Sequence, residues 1–216
     1  MEKEKWLFPL NILAAVFIAV LVISASVTIT LFDRGAYERL QSELDLPGIA
    51  GISEQELLEN YNALIDYNSV FFTGPLAFPS LAMSEAGRVH FEEVKAIFSV
   101  FQIAFIVSAV LTCILCVFLL KKRRFRFLAL GGILSLAIPA AVVCVMLAVG
   151  WDRFFVLFHE LFFNNEFWVF DSQTDPVILI LPDAFFLNCL VRIIAAIVCS
   201  AALLMIGSAI LRRKRT

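Results

Sequence analysis

Four long apolar runs, Leu7–Phe32, Ala96–Leu120, Phe127–Gly150 and Ala184–Leu211, dominate this chain of 216 residues. Each exceeds the ~20 residues with which an α-helix crosses the hydrocarbon core of a bilayer. Lipid offers no partner to a backbone amide or carbonyl, so a spanning segment must satisfy its own hydrogen bonds, and a helix does. At 61% hydrophobic residues the chain is too apolar for a soluble globular domain. The expected fold is an all-α polytopic membrane protein, a single membrane domain over residues 1–216. Four transmembrane helices would carry an extracytoplasmic cap of short helices and loops. The first run follows Lys3 and Lys5, as in a signal peptide, and Ser24-Ala25-Ser26 offers small residues for cleavage. The run is far longer than an h-region of ~7–15 residues, so it reads as a retained helix.

Lysine and arginine set the orientation. Lys3 and Lys5, the cluster at 121–126, and Arg212, Arg213, Lys214 and Arg215 together hold 11 of the 17 basic residues. Four spans put these three regions on one side, which the positive-inside rule makes cytoplasmic. The loops 33–95 and 151–183 then lie outside, with both histidines and all the acids except Glu2 and Glu4. The basic clusters adjoin membrane ends, so they read as topology anchors and lipid contacts, with no nucleic-acid partner. All five cysteines fall inside the apolar runs. Cys113 and Cys116 have C-x-x-C spacing, but at mid-membrane depth this reads as packing.

The outer loops carry the remaining signals. Ser53-Glu54-Gln55-Glu56 is a capping box, followed by Leu57, Leu58, Tyr61, Leu64 and Ile65 at helical spacing. Gly74-Pro75 and Pro79 break the chain. Ser84 is suited to cap a helix that carries His90 and runs on into the second span, with His90, Glu93 and Val94 on one face. Residues 151–170 crowd two tryptophans and seven phenylalanines, which favour the headgroup level. The stretch 152–163 reads as an interfacial helix bearing His159, ended at Asn164-Asn165. Asp175-Pro176 reads as a turn, Val177–Leu181 as a short extended run, and Pro182 as the opening of the last helix.

His90 and His159 are the chain's two histidines, placed by topology on one side of the membrane near helix ends. An imidazole with a pKa near ~6.5 can take and give a proton at neutral pH. The pair is therefore the candidate general acid and base; the plainer reading is two interfacial rings with satisfied hydrogen bonds. Arg192, some nine residues into the last run, either snorkels to the headgroups or faces the bundle as an oxyanion or phosphate partner. Asn188 lies one turn before it. Glu93 is placed to orient His90, whereas Glu160, adjacent to His159, points elsewhere on a helix. A G-x-S-x-G elbow is absent, and His159-Glu160 is followed by Phe163 where H-E-x-x-H needs a second histidine. There is no phosphate-binding glycine loop.

Two stretches resemble the lipoprotein intramolecular transacylase family of four-span bacterial membrane proteins, over essentially the full length. One is Ser84-Glu85 with His90-Phe91-Glu92-Glu93-Val94-Lys95, similar to the family's acid, histidine and acid-Val-basic run at the mouth of span two. The family pattern commonly has aspartate where Glu93 stands. The other is Phe158-His159 with Leu161-Phe162-Phe163, then Trp168, then Leu181-Pro182-Asp183 with Phe185-Phe186. The helix of Tyr61-Asn62 and Tyr67 also fits.

The resemblance implies acyl migration on a diacylglyceryl-modified lipoprotein. The sn-2 acyl chain would move from its ester oxygen to the α-amine of the N-terminal cysteine, giving the lyso form. The nucleophile then belongs to the substrate, consistent with a chain that offers no serine or cysteine nucleophile. His90 and His159 would be catalytic, with Glu93, Arg192, Tyr61, Asn62, Asn165 and Trp168 in supporting or substrate-positioning roles. No cofactor or metal is implied. The expected location is the plasma membrane, in contact with membrane lipid, with cytoplasmic termini and the site at the outer leaflet. Two rivals remain: a zinc-dependent membrane hydrolase using the same histidines, and a non-catalytic assembly or chaperone subunit. The first is separated by metal analysis and chelation, the second by the distance between the imidazoles.

Overall fold

The computed structural model describes residues 7–213. Lys3, Lys5, Lys214 and Arg215 of the basic set, and Glu2 and Glu4, lie outside the described residues. The described residues form helices and no strand, in the order α1 (Leu7–Phe32), α2 (Arg34–Glu43), α3 (Leu46–Ala50), α4 (Glu54–Tyr67), α5 (Glu85–Lys121), α6 (Arg126–Ser135), α7 (Ala137–Val149), α8 (Trp151–Phe162), α9 (Val177–Ile180) and α10 (Asp183–Arg213). Four stretches are long and apolar enough to cross a membrane: Leu7–Phe32, Glu85–Lys121, Arg126–Val149 and Asp183–Arg213. The protein is an all-helical multi-pass membrane protein. The chain divides into two compact units. One comprises the described residues up to Thr28, Phe101–Ala148 and those from Val191; the other is Ile29–Val100 with Val149–Leu190.

In the first unit, helices approach closely at small residues. A Cβ on Gly132 would stand 2.9 Å from the Ala201 carbonyl of α10, and one on Gly131 would stand 2.6 Å from the Ile18 side chain of α1. Without a hydrophobic force between helices in lipid, such approach is how helices gain packing contacts. Ser208 Oγ adds a hydrogen bond to the Phe125 carbonyl at 2.8 Å. The third span is not one straight helix. It breaks at Leu136, where Pro139 cannot donate to the Ser135 carbonyl and its ring crowds that group.

The second unit holds a separate core. Ser53 caps α4 by accepting from the Glu56 amide at 3.2 Å. That turns Leu57, Tyr61, Leu64 and Ile65 inward, all buried. Tyr61 stacks on Tyr37 of α2 at 3.5 Å between centroids, and the Tyr37 hydroxyl donates to the Ile180 carbonyl at 2.7 Å. Asn60 is fully buried and fastens the loop after α4: its Oδ1 accepts from the Ser80 and Leu81 amides, and its Nδ2 donates to Ser80 Oγ.

The extended run expected at Val177–Leu181 is instead the single turn α9, Val177–Ile180. Val177 and Ile180 are fully buried, and no strand among the described residues could pair with an extended backbone there. A turn lets the Leu181 amide find the Val177 carbonyl at 3.1 Å, and the backbone-fixed Pro176 starts it.

Candidate active site

At ~1.5 Å per residue, the 37 residues of α5 run about 55 Å, far beyond a hydrocarbon core of about 30 Å. The surplus is at the N-terminal end, where residues 85–95 carry five charged side chains before the apolar run begins at Ala96. Ser84 starts the helix, its Oγ accepting from the Gly87 amide at 3.0 Å. Arg88 pairs with Glu85 and Glu92 along one exposed stripe. The other face then turns inward, with His90 6% exposed and Phe91 5% exposed.

His159 sits on α8, which Gly150 separates from α7 by a left-handed turn (φ 80°) that a side chain would resist. The two imidazoles meet: their centroids are 6.1 Å apart, with planes inclined by 34°. Phe163, at the end of α8, touches both rings, at 4.8 Å from His90 and 5.6 Å from His159. Trp168 stacks on His159 at 4.6 Å, Phe155 lies 4.3 Å from it, and Phe170 meets His90 edge-on at 5.4 Å. Phe155, Phe158, Phe163, Trp168 and Phe170 of the 151–170 stretch thus form a wall around an imidazole pair.

The polar atoms of the pair differ. His159 Nδ1 lies 2.7 Å from the Phe155 carbonyl. A carbonyl only accepts, so this nitrogen carries the proton and the neutral ring presents a lone pair at Nε2. His90 Nδ1 is buried with no hydrogen-bond partner among the described residues. Burial pushes the His90 pKa down to about 4, and neighbouring His159 pushes it the same way. Burial also lowers His159, against the opposing effect of its bond to Phe155. Both rings are therefore neutral at neutral pH, and neutral imidazole is the basic form.

The two acids near the histidines take different directions. Glu160 faces Arg153 at 3.8 Å and leaves the pair. Glu93 turns inward, where its Oε1 accepts from Asn165 Nδ2 at 2.9 Å and its Oε2 is buried without a partner among the described residues. Its one described bond is to Asn165 rather than to the His90 ring it was expected to orient. Asn165 Oδ1 in turn accepts from the Phe167 amide at 3.0 Å, so Glu93 holds the turn that delivers Trp168. The partners of Tyr61 and Asn62 lie elsewhere: Tyr61 packs in the core, and Asn62 accepts from Arg34 at 2.8 Å. Arg192 is half-buried on α10 in the other unit. Among the described residues, no group of three or more His, Cys, Asp or Glu converges as a metal site would require. Gly87, which no sequence signal singles out, and Asp175, legible only as a turn residue, meet at the start of α5, where a Cβ on Gly87 would lie 2.3 Å from Asp175 Oδ1. An Asp before a proline carries only a turn signal in sequence.

The model of the family described as lipoprotein intramolecular transacylase Lit matches residues 12–186. The chain belongs to this family. Similar solved structures are of the membrane-integral lipoprotein intramolecular transacylase Lit from Bacillus cereus. One is 32% identical, with 95% of each chain covered and a TM-score of 0.90. A histidine-to-arginine variant is 30% identical, with 100% of this chain and 98% of that one covered and a TM-score of 0.87. A histidine-to-alanine variant is 32% identical, covering 95% and 93%, with a TM-score of 0.86. A comparison with curated protein sequences gives no match. Membership of the family makes the chain a member of a group of lipoprotein transacylases built into the membrane, on the same four-span helical fold.

Proposed function

We propose that the chain moves the sn-2 acyl chain of a diacylglyceryl-modified lipoprotein to the α-amine of its N-terminal cysteine, leaving the lyso form. The observation that carries this reading is the imidazole pair, 6.1 Å apart and walled by aromatic rings. In this reading the α-amine, with a pKa near ~7.7–8, loses a proton to become nucleophilic. It attacks the ester carbonyl, forming the C–N bond. His159 Nε2, whose lone pair is free because Nδ1 is committed to Phe155, accepts a proton from the attacking nitrogen. The C–O bond breaks, and the glyceryl oxygen leaves with the proton, relayed through the His90–His159 pair. Protons balance, and both rings finish neutral. Both atoms already belong to one molecule, so holding them in near-attack geometry supplies a large share of the ~7–11 kcal/mol available from proximity. The aromatic wall keeps out water that would otherwise hydrolyse the ester.

The site would work at the outer leaflet of the bacterial plasma membrane, where glycerol esters lie just beneath the headgroups. The basic residues at 121–126 and near the C-terminus support cytoplasmic termini. A zinc hydrolase is disfavoured because two imidazoles find no third converging donor among the described residues.

The test uses purified protein in detergent and a synthetic diacylglyceryl-cysteine peptide. Intramolecular migration leaves the mass unchanged, so the product is read by tandem fragmentation and by loss of reactivity toward an amine-labelling reagent. His90→Ala and His159→Ala should each abolish conversion while the protein stays folded. An N-acetylated substrate should be inert, and a chelator should change nothing. Near-normal conversion by His159→Ala would sink the mechanism.

A further inference from the structure

Outside the imidazole pair, Asp175 is a buried ionisable group with a hydrogen bond to each carboxylate oxygen. It is 4% exposed, and a buried carboxylate is costly unless every oxygen is held. Its Oδ1 accepts from the Ser84 amide at 2.8 Å, and its Oδ2 from Thr174 Oγ1 at 2.8 Å. The approach is possible because residue 87 is glycine: a Cβ there would meet Asp175 Oδ1 at 2.3 Å and Phe170 Cε1 at 3.4 Å. Capping α5 does not call for this arrangement, since Ser84 already serves the Gly87 amide.

A second polar tie lies at the other end of the same segment, where Asn165 Nδ2 donates to Glu93 Oε1 at 2.9 Å. The two ties bracket His90 along α5, at Ser84 before it and Glu93 after it. Between Asn165 and Asp175 the segment carries Trp168, stacked on His159, and Phe170, edge-on to His90 and stacked on Phe91. A loop fastened at both ends to the helix of one histidine thereby presses on the rings of both.

We propose that Asp175 is a positioning residue for the imidazole pair: its buried carboxylate fastens the aromatic segment 163–175 to the start of α5 and so fixes the two rings against each other. The inference rests on the reading of His90 and His159 as the reacting pair. Asp175 touches neither substrate nor imidazole in this role; it acts through Gly87, Phe170 and Trp168.

The experiment compares full-length wild type, Asp175→Ala, Asp175→Asn and Thr174→Val in detergent micelles, using the diacylglyceryl-cysteine peptide. Asp175→Ala should lower kcat by about 10–100-fold, the range for small misplacements of reacting groups, with KM little changed. Asp175→Asn should stay within a few-fold of wild type, because its oxygen can still accept from Ser84 and its amide can donate to Thr174. Thr174→Val, which removes one hydroxyl, should give a smaller loss and serves if Asp175→Ala does not fold.

Loss of folded protein would also lower kcat, so the deciding readout is the NMR titration of the His90 ring in the folded fraction, without substrate. Of the titratable groups on the elements around that ring, His159 on α8, Glu93 on α5 and Asp175 on the loop turn inward, whereas Glu85, Arg88 and Glu92 of α5 and Arg153 and Glu160 of α8 pair with one another at the surface. Deleting the Asp175 charge alone would lower the proton affinity of His90; letting water reach the ring raises it. An upward shift in Asp175→Ala that is absent in Asp175→Asn is the expected result. An unchanged or lowered titration in Asp175→Ala, wild-type kcat in Asp175→Ala, or Asp175→Asn as impaired as Asp175→Ala would each overturn the proposal. If wild type itself leaves the peptide unconverted, the proposed function fails, while the titration still decides the positioning role.

Discussion

Gly87→Ala sets helix propensity and tertiary packing against each other, and they predict opposite signs. Gly87 lies inside α5, where alanine is the better helix former by about 1 kcal/mol. On propensity alone the variant would be more stable. The new methyl, however, would stand 2.3 Å from Asp175 Oδ1 and 3.1 Å from its Cγ. The carboxylate cannot retreat without loosening its bond to the Ser84 amide, 2.8 Å away. A hydrogen bond to a charged group contributes roughly 1.5–3 kcal/mol, and overpacking a filled site costs about 1–3 kcal/mol. Set against the propensity gain, the net effect is a destabilisation of about 1.5–5 kcal/mol. The assay is unfolding in detergent micelles of wild type, Gly87→Ala, Asp175→Ala and the double variant. With Asp175 shortened, the methyl has room, so most of the Gly87→Ala penalty should disappear in the double variant. The two substitutions should couple by about 1–3 kcal/mol. A Gly87→Ala protein as stable as wild type, or strictly additive effects, would refute the packing argument.

Three further outcomes follow from the same geometry. His90 is held near a pKa of about 4 against about 6.5 in the unfolded chain, so its contribution to stability is fully present above pH 6.5 and is lost as pH falls toward 4. That loss amounts to at most ~3 kcal/mol, and His90→Gln should flatten this part of the stability–pH curve measured by unfolding between pH 7 and 4. Asn165→Ala removes the donor to Glu93 and frees the turn before Trp168, so conversion of the diacylglyceryl peptide should fall about tenfold, and tryptophan fluorescence should report a more hydrated Trp168. Gly132→Ala drives a methyl to 2.9 Å from the Ala201 carbonyl and should destabilise the first unit by about 1–3 kcal/mol without altering KM, as read by unfolding and steady-state kinetics.

What the sequence discloses here follows from how far apart the interacting residues are. The four spans are legible because the bilayer imposes a local requirement of length and hydrophobicity that any window of the chain reveals. The Ser53 and Ser84 caps are legible because partner and acceptor lie three residues apart. The break at Leu136 was available in Pro139 but was hidden by an unbroken apolar run. The misreading at Val177–Leu181 arose because valine and isoleucine favour strands only where a strand can pair, and that condition is tertiary.

The histidines were legible for a different reason. With two in the chain, topology alone brought them to one side. Their mutual distance was not legible, because it depends on contacts across long separations. Glu93 meets Asn165 across 72 residues, and Ser84 meets Asp175 across 91. Such pairs leave no periodicity and no motif. What marks them is a glycine with no turn to explain it and an acid with no exposed face, and these become informative only once each is seen to need the other. Gly87 is small because Asp175 is there, and the buried Asp175 carboxylate finds its partners in the Ser84 amide and the Thr174 hydroxyl. A reaction that asks of its enzyme only orientation and a proton relay depends on such spacers as much as on the rings that carry the proton.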